Sequence, residues 1–407
     1  MANPNPLRTR ASIAAGRATA WLSRRIGFGG GMIGGRVALK LDPHALRRLG
    51  RDRTVLLVSG TNGKTTTTLM LASALGAAGE IASNSDGANM PDGLLAALVA
   101  KPHAAYAVLE VDEVYLPLVA EQVDPAVVVL LNLSRDQLDR VGEVRATERE
   151  IRAAIGALPF SSVVANCDDV LITSAAAGAA HPVWVGTGRR WHEDAASCPR
   201  CGGAIRHHDD GWACRCGLAR PLPSWSVTGD RLTDPLGTGV DLGLRLPGAA
   251  NRANAALAIA AAACVGVPPE LASARVREIS DIGGRYRVVR RARHSVRLML
   301  AKNPAGWGAT IPILAEDTPV VIAVNAREAD GRDTSWLWDV PFERLRGKQV
   351  VATGERCADL AVRLRYAEVA HRVHRDPVCA VDSLRGGEIE LVANYTAFRE
   401  LVGRLTA

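Results

Sequence analysis

Lys64 and Thr65 close the run Gly60-Thr61-Asn62-Gly63-Lys64-Thr65-Thr66-Thr67, whose residue types suit the handling of phosphate. The glycines let the backbone turn tightly and aim N–H groups at anionic oxygens, Lys64 reaches the terminal phosphates, and the Thr65 hydroxyl is placed for magnesium. Gly60, Thr61, Asn62, Gly63, Lys64, Thr65 and Thr66 are therefore the expected ATP-binding loop, with Mg2+ as its companion. Val58 stands where a strict Walker A pattern has glycine, so the loop is the shorter G-T-N-G-K-T-T variant. The plain alternative, a polar turn ahead of a Thr-rich helix, does not account for strand, glycine pair, lysine and hydroxyl in that order. As an exposed loop residue, Lys64 is expected to add little to stability.

Acidic and sulfur ligands follow. Val108-Leu109-Glu110-Val111-Asp112-Glu113 ends an apolar run in carboxylates, and the carboxyl ends of parallel strands are where α/β sheets hold their ligands. Glu110 is the expected second magnesium ligand beside Thr65; a solvated acidic strand end is the alternative. Cys198-Pro199-Arg200-Cys201-Gly202 has zinc-knuckle spacing, and Cys214-Arg215-Cys216-Gly217 is one residue short of a second such knuckle. Cys198, Cys201, Cys214 and Cys216 are read as a Zn2+ site that stabilises a segment with little core of its own. If the tight second half strains the site, His207 or His208 replaces one sulfur. Cys167, Cys264, Cys357 and Cys379 lie in no nucleophile motif with a histidine partner.

These groups need a framework. The apolar run Thr54 to Ser59 precedes the loop, and β-branched runs at 104–110, 126–131, 162–165 and 183–185 alternate with helical patterns, the signature of a mostly parallel sheet with crossover helices. The cysteine module, about 197–223, interrupts this domain. Further runs at 296–300, 320–324, 350–352 and 389–392 give a second, Rossmann-like α/β domain. Residues 8 to 25 form an expected amphipathic helix with Ala14, Ala18, Trp21 and Leu22 on one side and Arg10, Arg17 and Arg24 on another. Its apolar side either packs on its own domain or rests on an anionic membrane surface. A glycine-rich link, Gly27 to Gly35, follows. The expected boundaries are 1–45, 46–285 and 286–407.

Composition narrows the class. A chain of 407 residues exceeds one compact core. The alanine-rich stretch from Ala255 to Val267 is shorter than the ~20 residues that span a bilayer, and arginines interrupt the N-terminus, so a cytoplasmic location is expected. The net charge of +7 comes from 44 arginines against five lysines. Where arginine has displaced lysine, a surviving lysine marks a place for a compact ammonium. Lys64 fits, and Lys302 in Ala301-Lys302-Asn303-Pro304-Ala305-Gly306 is a second candidate. No aromatic interleaving or binding module accompanies the basic charge, so a nucleic acid partner is not expected.

The phosphate loop resembles that of the Mur ligase family, which activates a carboxylate as an acyl phosphate for attack by an amine. Gly248, Asn251 and Asn254 are similar to that family's nucleotide-proximal G-x-H-N-x-x-N segment, with Ala250 in the histidine's place, and Arg285 follows in Gly284-Arg285. Gln137, in Asn132-Leu133-Ser134-Arg135-Asp136-Gln137-Leu138-Asp139, also replaces a usual histidine. The zinc insertion, Lys302 to Gly306, and Asp330-Gly331-Arg332-Asp333-Thr334-Ser335-Trp336-Leu337-Trp338-Asp339 narrow the resemblance to the MurT branch. It covers nearly the whole chain.

That resemblance implies a synthetase subunit that amidates the D-glutamate α-carboxylate of lipid II at the membrane surface. A separate GatD-type glutaminase would supply the ammonia. It further implies that an aspartate of the C-terminal domain completes the glutaminase triad: Asp333 first, Asp339 second. Two other readings stay open, a stand-alone Mur-type or folylpolyglutamate-type amino-acid ligase and an ATP-binding regulatory protein.

Overall fold

In the computed structural model the described residues are 6–25, 30–76, 78–84, 87–134, 144–188, 197–209, 211–282 and 284–406. They divide between two compact units. The first lies within Met1–Leu133, Glu143–Leu244 and Ala250–Glu278, the second within Ser134–Gly142, Arg245–Ala249 and Ile279–Ala407.

Continuous apolar runs build the centre of the first unit. β1 (Thr54–Ser59), β2 (Ile81–Ser83), β3 (Tyr106–Glu110), β4 (Val127–Leu130), β5 (Ser162–Asn166) and β6 (His181–Gly186) are all parallel. Val55 to Ser59 and Val127 to Leu130 are buried residue after residue, as strands covered by helices on both faces must be. The hairpin β7 (Ile205–His208) and β8 (Gly211–Cys214) belongs to the cysteine module. β9 (Trp225–Thr228), β10 (Arg231–Thr233) and β11 (Gly239–Asp241) then extend the sheet, with β10 antiparallel to both of its neighbours, to the order β11-β10-β9-β6-β5-β4-β1-β3-β2. β1 stands between β3 and β4. The strand order reverses around it, so the loop after β1 opens at the topological switch point where such sheets bind ligands.

The second unit has its own six-stranded sheet, from β12 (Tyr286–Arg291), β13 (His294–Leu300), β14 (Val320–Ala323), β15 (Val350–Thr353), β16 (His371–Val373) and β17 (Gly387–Ala393). Its order is β12-β13-β17-β14-β15-β16, with only β12 antiparallel. Apolar clusters cover both faces, one around Trp307 and Phe342 and the other around Phe398. The α/β class and the mostly parallel sheets expected from the sequence are present. Among the described residues no helix is long and apolar enough to cross a membrane.

Two expectations at the N-terminus change. The glycine-rich link is helical from Gly30: α1 (Pro6–Arg25) and α2 (Gly30–Leu41) pack on one another, while 26–29 lie outside the described residues. Glycine serves close packing here, since a Cβ on Gly34 would come within 2.6 Å of the Gly16 carbonyl oxygen. α1 also turns the other way round. Its buried face is the small and hydroxyl-bearing set Thr9, Ser12, Gly16 and Ser23, and the apolar side with Ala14, Ala18, Trp21 and Leu22 faces solvent.

Candidate active site

The loop after β1 is held from both sides by its own chain. Gly60 adopts φ 140°, and a Cβ there would lie 2.8 Å from that of Leu131. Asn132, just past β4, holds the next two residues: its carbonyl accepts from Thr61 N (2.9 Å), its side-chain oxygen accepts from Asn62 N (2.9 Å), and its amide donates to Asn62 O (2.8 Å). Gly63, at φ 90°, then lets the helix Lys64–Leu75 begin at once, with Thr67 N donating to Gly63 O. Such a start directs the positive end of the helix dipole to the loop.

Glu110 ends β3 and is fully buried. The Thr65 hydroxyl donates to its Oε2 (2.7 Å), and the Asn89 amide lies 3.3 Å from Oε1. The buried Asn84 clamps the Glu110 backbone by accepting from its N–H and donating to its carbonyl, each at 2.8 Å. A carboxylate out of water and held by neutral donors is electrostatically ready for a cation. Thr65 and Glu110, chosen separately from the sequence, thus meet as a hydroxyl and a carboxylate, a pair of oxygen donors of the kind that could hold a divalent cation.

Lys64 is buried rather than exposed, which overturns the expectation drawn from its loop position. Its Nζ donates to Gly60 O (2.6 Å) and Thr61 O (3.3 Å) and pairs with Glu113 Oε2 at 2.9 Å. Burial works against the ammonium, but the neighbouring Glu113, Glu110 and Asp112 outweigh it and hold the pKa above the usual lysine value. The cation is present throughout the physiological range. Lys64 is thus curled over its own loop.

Asn254, on the helix Ala249–Cys264, reaches the loop: a Cβ on Gly63 would lie 2.6 Å from its Oδ1. Asn251 lies one turn earlier on that helix. Arg285 belongs to the second unit, beside the start of β12, so the sequence candidates for nucleotide binding are divided between the units. Asn132 to Ser134 are described, whereas 135–143, with Gln137, lie outside the described residues.

The four cysteines of the insertion converge. All four Sγ atoms lie within 4.8 Å of one another, with Cys201–Cys214 at 3.4 Å and Cys198–Cys216 at 3.6 Å, and among the described residues no histidine joins the group. His207 and His208 lie along β7 instead. Four thiols at these separations fit one tetrahedral ion with ~2.3 Å metal–sulfur bonds. The backbone N–H of Leu218 draws the Cys216 thiol down to about 7, while at Cys214 the Cys216 N–H is outweighed by burial and the other three sulfurs, which push that thiol up to about 12. A small apolar group of Val170, Cys198, Ile205, Trp212, Cys214 and Leu218 seats the module on the sheet domain, and Arg220 Nε binds Asp168 Oδ1 at 2.7 Å. The shortened second knuckle therefore closes on the same cluster. Burial pushes the nearby Cys167 thiol up to about 12, which removes it as a nucleophile.

In the second unit the tryptophan motif follows β14. Trp307 is fully buried and stacks on Trp336 (6.3 Å) and, edge-on, on Phe342 (5.5 Å). Arg363 fastens the segment by donating to Leu337 O (3.1 Å) and Val340 O (2.8 Å). The three aspartates of the motif have different positions. Asp330 is buried and accepts from Thr396 N (2.9 Å) and the Thr396 hydroxyl, tying the loop to the helix Tyr395–Thr406. Asp333 is exposed and accepts from Ser335 N (2.8 Å) and Ser335 Oγ (2.9 Å), while Asp339 is exposed at the end of the tryptophan run. Lys302 immediately precedes Asn303, whose side chain caps the helix Pro304–Thr310.

Residues 58–262 match the Mur ligase middle domain family, and residues 300–398 match the MurT ligase C-terminal family. The lipid II isoglutaminyl synthase (glutamine-hydrolyzing) subunit MurT of Staphylococcus aureus (strain N315) is 30% identical over 373 residues, 85% of each chain. Its namesake from Streptococcus pneumoniae (strain ATCC BAA-255 / R6) is 31% identical over 446 residues, 97% of each chain. The chain belongs to the MurT family of Mur ligases. Among solved structures, the pseudomurein peptide ligase type C from Methanothermus fervidus superposes with a TM-score of 0.69 at 19% identity, over 89% of this chain and 81% of that one, which is a likeness of fold.

Sequence reasoning missed part of the machinery of this MurT-family chain. Asn84, Asn89 and Asn132 hold Glu110 and the loop, and Glu113 holds Lys64. Glu113 and Asn132 had visible signals, Glu113 its place three residues past Glu110 and Asn132 its place at the head of the segment behind the run 126–131.

Proposed function

We propose that the chain is the synthetase component of a lipid II-amidating complex. The observation that carries this reading is the meeting of Lys64, Thr65 and the buried Glu110 at the carboxyl ends of β1 and β3. The α-carboxylate of D-isoglutamate attacks the γ-phosphorus of ATP, forming an acyl phosphate and releasing ADP. Lys64 leaves Glu113 to offset charge on the transferring phosphoryl group, and the loop N–H groups hold its oxygens. Magnesium, when bound at Thr65 and Glu110, supplies further charge neutralisation. Asn254, Asn251 and Arg285 are the proposed remaining nucleotide contacts. Ammonia displaces phosphate and loses a proton to give the D-isoglutamine amide.

A GatD-type glutaminase is the proposed ammonia source, with Asp333, and Asp339 as the second choice, facing its catalytic histidine. Zinc is the proposed occupant of the four-thiol cluster, where it stabilises the module and takes no part in catalysis. Three domains, 1–45, 46–285 and 286–407, and a cytoplasmic location at the inner membrane face complete the reading.

The test supplies purified chain with ATP, Mg2+ and lipid II. Ammonium alone should give the amide, and glutamine should do so only when the glutaminase is added. A product carrying an added amino acid would favour the stand-alone ligase, and absence of product in both arms would favour the regulatory reading.

A further inference from the structure

α1 presents an apolar stripe to solvent. Ala11, Ala14, Ala18, Trp21 and Leu22 recur at helical spacing on its exposed side, with Trp21 52% and Leu22 56% exposed. The orientation is fixed by the opposite face. Thr9 Oγ1 donates to Asp42 Oδ2 at 2.7 Å, Gly16 packs on Gly34, and Arg17 donates to Val99 O at 2.9 Å. The helix therefore cannot roll to bury its apolar side without losing these contacts.

The charge around the stripe has one sign. Arg8, Arg10, Arg17 and Arg25 are exposed, the helix contains no Asp or Glu, and the Arg25 guanidinium lies 4.4 Å above the Trp21 ring. An apolar stripe bearing tryptophan and bordered only by arginines complements a surface that is apolar below and anionic above. A protein partner would need an acidic rim around an apolar groove, whereas an anionic bilayer offers both layers along the helix's length.

We propose that the solvent-facing side of α1 docks the chain in plane on an anionic lipid surface. Vesicle binding needs no turnover, so the proposal stands or falls separately from the amidation chemistry.

Sedimentation of the full-length chain with vesicles tests it. Phosphatidylcholine vesicles containing phosphatidylglycerol should bind the chain about tenfold more strongly than phosphatidylcholine alone, and salt should erode the difference. Trp21→Ser with Leu22→Ser should weaken binding about fivefold or more, and Arg10→Glu with Arg25→Glu about tenfold. These side chains are exposed, so nucleotide affinity and melting temperature should stay at wild-type values. Equal binding to both vesicle types, salt-independent binding, unchanged binding by both variants, or self-association abolished by Trp21→Ser would overturn the proposal.

Discussion

The phosphate loop of the first unit and the tryptophan motif of the second treat their polar groups in opposite ways. Around the loop, Lys64, Thr65 and Glu110 are buried and already joined to one another's neighbours, so the surrounding protein sets their geometry and charge. In the motif, the anchoring groups Trp307, Asp330 and Arg363 are buried, while Asp333, Asp339 and Trp338 are left exposed. A site that performs chemistry excludes water and fixes its donors. Under the proposed function the second surface lends a residue to another protein, for which a firm base with accessible working groups is suited.

Asp333→Asn gives the largest expected effect. If Asp333 orients a partner's histidine, the variant loses up to about four orders of magnitude of glutamine-dependent amidation through the wrong tautomer, with ammonium-dependent amidation unchanged. Parallel assays with the two nitrogen sources check this. Loss of both activities would merge the two regions into one site, and loss of neither would move the role to Asp339.

Lys64→Ala should lower turnover with both nitrogen sources by about 10²–10³-fold. Because Lys64 is buried against Glu113, the variant should also lose stability, about 3 kcal/mol for an ion pair broken out of water. Adding Glu113→Gln should restore much of the stability and none of the activity. Denaturation and steady-state assays on the single and double variants separate the two roles.

Cys201→Ser affects neither region directly. Metal content should fall from about one ion per chain, and the melting temperature by roughly 5–10 °C, with turnover per folded molecule retained. Elemental analysis beside a thermal melt decides it, and a metal-free wild type of equal stability would remove the structural-metal role.

The smallest effect is expected at Asp376, a half-buried carboxylate that caps the helix Pro377–Asp382 much as Asp333 holds its turn. Arg404 first, then the Cys379 N–H, pull its pKa down to about 2. Its contribution is therefore complete above the unfolded value near 3.9 and is lost as pH falls towards about 2. Asp376→Asn should cost about 1 kcal/mol or less at neutral pH and flatten the stability curve within that acid window. Equilibrium unfolding at several pH values measures this, and an Asp376 variant that lost glutamine-dependent activity would blur the distinction drawn for Asp333.

Legibility in the sequence followed the range of the interactions. The loop could be read because its chemistry is local, and Glu110 because strand ends in parallel sheets are predictable places for ligands. The four cysteines were legible from spacing alone, their closure despite the short second knuckle was not. Asn84 and Asn89 were hidden because each acts on Glu110, distant in the chain. Gly30 to Gly35 read as a link because glycine disfavours helix, yet Gly34 is what lets α1 and α2 approach. The packed face of α1 was illegible for a related reason: it is made of small and hydroxyl side chains, which carry no hydrophobic signal.

Isotope transfer tests the central claim most directly. Lipid II labelled with 18O in the D-isoglutamate α-carboxylate, incubated with the chain, ATP, Mg2+ and ammonium, should yield inorganic phosphate carrying one 18O for each amide formed, and Lys64→Ala should lower both in step, by about 10²–10³-fold. Amide formed with unlabelled phosphate would contradict activation of the carboxylate as an acyl phosphate at the Lys64, Thr65 and Glu110 site.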